Sequence, residues 1–265
     1  MYHTKRIDGR EFNILIQGSG EPLLFVHGFP LDHSMWNAQI AEFSKTHLVI
    51  APDLRGFGAS KCDDEKVTML DYANDLAAML DEFSIDTPVN LCGLSMGGYI
   101  AWQFYRNHRS KLKSIILCDT KAAADSEAAQ QTRRETSEKV LQNGPGFLAE
   151  AMPEKLFSAV TLSNNQAVVE QTQSVIRSTS PQTVSAALLG MAERPDVTEM
   201  LPKIDFPTLV VVGEHDSITT SAEMQEIANT IPNADFIEIR DAGHMSPLEQ
   251  PEQVNSAIAD FLKNR

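Results

Sequence analysis

Hydrophobic positions along this chain alternate between two rhythms. Apolar runs of strand length recur at 22–26, 47–51, 89–92, 112–118, 207–212 and 235–239. Most are too continuous for a half-exposed strand, so they read as strands buried on both faces. Residues 2–7 and 11–17 read as two edge strands joined by a turn at Asp8 and Gly9. Helical spacing fills the intervals. Met69, Ala73, Leu76, Leu80 and Phe83 mark one core face behind a capping-box start at Thr68 and Asp71. Ile100, Ala101, Phe104 and Tyr105 mark a second, and Val254, Ile258 and Phe261 a third that opens at Pro251. Alternating β and α units predict an α/β fold with a mainly parallel central sheet flanked by helices and right-handed crossovers.

The rhythm breaks once. From about residue 121 to 201 there is no strand-like run, only helical patterns rich in Ala, Gln, Glu and Ser, punctuated by Gly144, Pro145, Pro181 and Pro195. The expected organisation is therefore a core of residues 1–120 and 202–265 with a helical cap inserted at 121–201.

Composition narrows the function classes. With 36 acidic and 22 basic residues, the net charge of −14 repels phosphate backbones and anionic lipid, so neither nucleic acid nor a membrane surface is an expected partner. The first residues offer no apolar segment of signal-peptide type, and three unpatterned cysteines suit a reducing compartment, so a cytoplasmic setting is expected. Cys92 and Cys118 fall in strands and read as small core residues. No metal-type spacing of Cys or His is present, and the expected chemistry needs no metal or other cofactor.

That chemistry centres on Gly93-Leu94-Ser95-Met96-Gly97, between the strand at 89–92 and the helix that follows. The G-x-S-x-G pattern in a strand-to-helix turn is a nucleophile elbow. Ser95 must sit in a strained turn, where side chains at 93 and 97 would collide, with its hydroxyl at the positive end of the new helix. A serine hydroxyl needs a base and a group to orient that base. Of seven histidines, His244 lies on the loop after the last strand, where α/β sheets carry their sites. His215 is a weaker rival, and His27 reads as a brace for the loop after the strand at 22–26. Two aspartates follow strands directly, Asp119 and Asp216, and the chain order Ser95, Asp216, His244 fits the Ser…Asp…His order of such folds. Backbone N–H groups of Met96 and Phe29 are the expected oxyanion donors, because Pro30 has none to offer. Asp53 and Arg55 read as a local ion pair bracing their loop, with a substrate carboxylate as the rival role for Arg55.

Together, His27-Gly28-Phe29-Pro30, the Asp53-Leu-Arg-Gly-Phe-Gly-Ala-Ser60 loop, Gly93 to Gly98, Gly213-Glu-His-Asp216 and Gly243-His244 resemble the α/β-hydrolase fold family in order and spacing. The most similar branch holds small carboxylesterases and 3-oxoadipate enol-lactonase-like hydrolases. The resemblance implies a lid over residues 121–200 and favours Asp216 over Asp119 as the acid. Ser95 argues against the family's dehalogenases and epoxide hydrolases, which carry Asp at the elbow. The expected activity is hydrolysis of a small-molecule ester or lactone through an acyl-enzyme on Ser95, in a monomer or small homo-oligomer. Phe29, Trp36, Met96, Met152 and Phe157 are the expected lining of the acyl pocket. Two rival readings share the same residues: a small-molecule receptor with slow or single turnover, and perhydrolysis of haloperoxidase-like type.

Overall fold

The apolar runs pair into one sheet of eight strands: β1 (Tyr2–Ile7), β2 (Arg10–Gln17), β3 (Glu21–Val26), β4 (His47–Pro52), β5 (Val89–Leu94), β6 (Leu112–Cys118), β7 (Thr208–Gly213) and β8 (Ala234–Ile239). The computed structural model describes residues 1–263. Strand order is β1-β2-β4-β3-β5-β6-β7-β8, antiparallel from β1 to β4 and parallel from β4 to β8. The expectation of two edge strands at the start holds for β1 alone. β2 pairs with β4 on its other side and is interior.

Alternate residues of the central strands feed two separate cores. Leu24, Leu91, Ile115 and Val210 pack on one face, with α2 (Met69–Glu82), α3 (Met96–His108) and α10 (Ser221–Thr230). Leu23, Cys92, Ile116 and Val211 pack on the other, with α1 (Asn37–Phe43) and α12 (Pro251–Lys263). Burying each such Leu, Ile or Val side chain stabilises by about 1.5–3 kcal/mol, so both faces of these strands must be covered. That is why the runs show no polar alternation. α2 begins with the expected capping box: the Thr68 hydroxyl accepts the Asp71 N–H, and Asp71 accepts the Thr68 N–H.

Between β6 and β7 the described residues form only helical and irregular structure. These helices are α4 (Glu127–Asn143), α5 (Gly146–Ala151), α6 (Pro153–Leu156), α7 (Ala159–Asn164), α8 (Gln166–Ser178) and α9 (Pro181–Ala192). A last short helix, α11 (Ser246–Glu249), follows the loop after β8.

The sheet's order places a site. β4 lies on one side of β3 and β5 on the other, so the chain reverses its winding between β3 and β5. The loops leaving two such strands diverge and open a crevice at their C-terminal ends. Those two loops carry Phe29 and Ser95.

Candidate active site

Ser95 occupies a turn that the backbone resists. Its φ is +53° with ψ −109°, a strained region for a residue with a side chain, which costs on the order of 1–3 kcal/mol. The glycines around it are required by close approach, one of them differently from expectation. A Cβ on Gly93 would strike the carbonyl of Gly97 across the turn, whereas a Cβ on Gly97 would strike the carbonyl of Val26 at the end of β3. The second glycine therefore lets the elbow press against the neighbouring loop. The turn is pinned by the Ser95 N–H on the Cys118 carbonyl (2.9 Å) and by the Thr120 hydroxyl on the Ser95 carbonyl (2.7 Å).

The three residues picked from chain order meet. His244 Nε2 lies 2.9 Å from Ser95 Oγ, and Nδ1 lies 2.8 Å from Asp216 Oδ2. Asp216 is further held by N–H groups of Ile218 (2.7 Å) and Thr219 (2.9 Å) on Oδ1, and by the Thr219 hydroxyl on Oδ2. Burial works to raise the Asp216 carboxyl, but the hydrogen bond and charge of His244 and the Thr219 donors outweigh it, and the group sits below its ordinary value. An ionised Asp216 keeps the imidazole proton on Nδ1 and leaves Nε2 free to accept the serine proton. Thr219, which no sequence motif marks, is thus a neighbour of the candidate acid. Its only signal was its place three residues after Asp216.

Asp119, the rival acid, is fully buried with both oxygens engaged elsewhere. Oδ1 accepts the Gly213 N–H (2.8 Å) and Oδ2 the Ser246 hydroxyl (2.5 Å). It links the loop carrying Asp216 to the loop carrying His244 without touching the imidazole. His215 is exposed and points its Nε2 toward Glu214. His27 braces its loop, as its position predicts. Its Nε2 accepts the Leu54 N–H (3.0 Å) and its Nδ1 donates to the Gly28 carbonyl (2.9 Å). Burial depresses its basicity and keeps it neutral.

The backbone N–H groups of Phe29 and Met96 flank the same crevice. Among the described residues neither has a hydrogen-bond acceptor, and Met96 is the first residue of α3. The Met96 donor sits at a helix N-terminus and the Phe29 donor on the loop after β3, and unengaged donors of this kind can stabilise negative charge.

Of the five residues expected to line an acyl pocket, Phe29 and Met152 keep exposed surface. Trp36 is 0% exposed and packs against Phe25 at 4.9 Å between ring centroids, beneath the sheet. The Met96 side chain is likewise 0% exposed, and Phe157 is buried in the same core as Trp36. A ligand needs surface to touch, so Trp36 and Met96 side chains are removed from the pocket. The expected Asp53–Arg55 ion pair is also corrected. Arg55 reaches across to Asp75 on α2 (2.8 and 2.5 Å) and to Asp64 (3.0 Å), while Asp53 binds His33 (2.6 Å), Asn13 and the Ala59 N–H. Both residues brace the loop, but toward different elements.

Among the described residues, two groups bring three metal-type ligand atoms within 4.8 Å: Asp32, His33 and Asp53, and the exposed Glu214, His215 and Asp241. In the first, the Asp32 and Asp53 oxygens already accept N–H and O–H donors of this chain. No helix among the described residues is long and apolar enough to cross a membrane.

A sheet of this order, a strained serine at its switch point and a histidine and aspartate on the loops after its last strands define a hydrolase-type scaffold. The chain belongs to the α/β-hydrolase fold family, whose model matches residues 21–251. A solved thermophilic esterase from Thermogutta terrifontis is similar at 44% identity, covering 100% of this chain and 98% of that one with a TM-score of 0.95. The enol-lactonase from Burkholderia xenovorans is similar at 27% identity, covering 98% and 100% with a TM-score of 0.91. Among curated proteins, 3-oxoadipate enol-lactonase 2 of Acinetobacter baylyi is 28% identical, over 93% of this chain and 90% of its own.

Proposed function

We propose that the chain is a carboxylic ester hydrolase, acting on small esters or lactones through an acyl-enzyme on Ser95. The observation that carries this reading is the continuous hydrogen-bonded row from Ser95 through His244 to Asp216, beside two unengaged N–H donors. Kinship with an esterase and with enol-lactonases supports the same bond type.

Ser95 Oγ attacks the substrate carbonyl while His244 Nε2 takes its proton. The tetrahedral oxyanion lies against the N–H groups of Phe29 and Met96. Asp216 holds the Nδ1–H tautomer and stabilises the imidazolium, which then protonates the leaving alkoxide. Water, deprotonated by His244, attacks the acyl carbonyl and releases the acid. The helices α4 to α9 act as a cap over this crevice, and Phe29 and Met152 offer apolar surface to the acyl group. Such surface suits small or medium apolar acyl groups.

The test is a panel of p-nitrophenyl esters and lactones, 3-oxoadipate enol-lactone among them, run beside Ser95→Ala. Sustained turnover lost in the variant supports the proposal. One turnover followed by a trapped acyl group would instead point to a receptor, and an unaffected Ser95→Ala would remove the serine mechanism altogether.

A further inference from the structure

His244 stands on a loop with no ladder of its own, yet its ring must be placed to a fraction of an ångström between Ser95 and Asp216. The residues on either side of it are both anchored. The Gly243 N–H donates to Glu249 Oε1 at 2.7 Å, and the Met245 N–H donates to the Leu156 carbonyl at 3.1 Å. The other oxygen of Glu249, Oε2, accepts the Ser158 N–H at 2.8 Å. Ser158 in turn donates its hydroxyl to the Asp241 carbonyl at 2.9 Å. Glu249 and Ser158 are both buried. The contact is close throughout: a Cβ on Gly243 would lie 2.7 Å from Ser158 N and 2.9 Å from Phe157 C. Residues 156–158 therefore lie flat along 241–245, with the Glu249 carboxylate as a two-pronged clip between them.

We infer that Glu249 is a positioning residue for His244, and that residues 156–158 are a fixed buttress of the base rather than part of a moving lid. The inference rests on the hydrolase reading above. A carboxyl group suits the clip because it presents two acceptors to two N–H donors. Glutamine has one, and would set its NH₂ against either Gly243 or Ser158. Losing the clip lets the Gly243 end of the loop shift while the core-side tie of Ser246 to Asp119 remains. The ring then moves relative to Ser95, and the substrate-facing surfaces stay in place. A displacement near 1 Å can cost on the order of 10²-fold in rate.

The experiment compares wild type with Glu249→Gln at 25 °C on a short p-nitrophenyl ester, with phosphonylation of Ser95 by a fluorophosphonate as a second readout that needs the base but little of the pocket. The downfield proton resonance of His244 Nδ1–H is the third. Expected are a fall in kcat and in phosphonylation rate by the same factor, roughly 10- to 100-fold. KM should stay within about twofold, since uniform binding is untouched, and the resonance should shift or broaden. A purely structural role would lower Tm and leave kcat and the resonance unchanged, and that result overturns the inference. If Glu249→Gln fails to fold, Ser158→Ala decides in its place, because it removes only the hydroxyl strut and its local cap. A drop in kcat at constant KM supports the buttress, and an unchanged kcat refutes it. Wild type that resists phosphonylation, or Ser95→Ala that retains activity, would instead sink the hydrolase reading, and this inference with it.

Discussion

Replacing each of the two candidate acids by asparagine separates their roles, and the hydrogen bonds around them fix the expected size of each effect. Asp216 Oδ1 accepts two backbone N–H groups, from Ile218 and Thr219. In Asp216→Asn the amide oxygen is forced to stay there, because an NH₂ cannot face two N–H donors. The NH₂ is then directed at His244 Nδ1, which must accept, and the imidazole proton moves to Nε2. Ser95 loses its base while the geometry survives. A wrong tautomer of this kind lowers kcat by about 10⁴, or about 5 kcal/mol of transition-state stabilisation. In Asp119→Asn the oxygen stays on the Gly213 N–H and the NH₂ turns to Ser246 Oγ, which can accept. Activity should change by less than about threefold, within the range of a satisfied swap. Burial, with the charge of Asp216 behind it, pushes the Asp119 carboxyl well above the usual carboxylate range. A raised carboxyl is protonated in the fold when the unfolded chain is already ionised, so it withdraws stability as pH rises above about 3.9. Asp119→Asn does not titrate and should gain on wild type from pH 4 to pH 7 in urea melts. Initial rates on a p-nitrophenyl ester and melts at both pH values check this. Loss of activity in Asp119→Asn with survival in Asp216→Asn would place the acid at 119 and refute the tautomer argument. A stability difference independent of pH would refute the protonation argument.

Ser95→Ala should abolish hydrolysis, by as much as about 10⁶ in kcat, with folding unchanged by circular dichroism. Ser95→Gly should be equally inactive yet melt higher than Ser95→Ala, since glycine relieves the φ of +53°; equal melting temperatures would argue against stored strain. Met152→Ala should shift the preferred acyl length by roughly 1–3 kcal/mol in kcat/KM while short esters are still cleaved, and a uniform loss over all chain lengths would remove Met152 from the pocket. Burial works to raise the Asp53 carboxyl, but its hydrogen bond and ion pair with His33, with the Ala59 N–H and Asn13, hold it at about 2, so it contributes stability above its unfolded value that is lost as pH falls toward 2. The stability gap between wild type and Asp53→Asn should therefore narrow by about 2 kcal/mol between pH 5 and pH 2, and a constant gap would contradict the pairing.

Most of the frame was legible because its signals are local. The buried strands announce themselves as apolar runs, and the elbow, the histidine loop and the aspartate loop each follow a strand end in an order that admits few arrangements. What escaped has a physical reason in each case. The helix α1 offers only Ile40 and Phe43 as buried hydrophobics. In α10 the capping box of Thr220 and Glu223 was visible, but only Met224, Ile227 and Ala228 face the core. Trp36 was placed in the pocket on residue type alone. A large aromatic after a site loop is as well suited to core packing, and its contact with Phe25 is a tertiary fact that no spacing encodes. The partners of Asp53, Arg55, Asp119 and Glu249 lie up to 127 residues away in sequence, as with Asp119 and Ser246.

The three acids among them, Asp53, Asp119 and Glu249, together with Asp216 point to a common cause. Loops at the C-terminal ends of parallel strands leave the ladder, so their N–H groups need acceptors that the sheet does not supply. A buried carboxyl offers two acceptors at once. Asp53 serves His33 and Ala59, Asp119 serves Gly213, Asp216 serves Ile218 and Thr219, and Glu249 serves Gly243 and Ser158. Acidic side chains thus stiffen the loops that carry the chemistry, and an aspartate beside a histidine is not by itself a sign of catalysis. Among the described residues two such pairs are hydrogen-bonded, and the one between His33 and Asp53, at 2.6 Å, is shorter than the 2.8 Å of His244 and Asp216. Their far nitrogens differ. That of His33 faces the Tyr2 hydroxyl at 3.3 Å on the edge strand, whereas that of His244 faces a serine held in a strained turn at a helix N-terminus. A histidine oriented by a carboxylate becomes a base only where its second nitrogen meets a nucleophile with a place for an oxyanion beside it, and the switch between β3 and β5 provides that place.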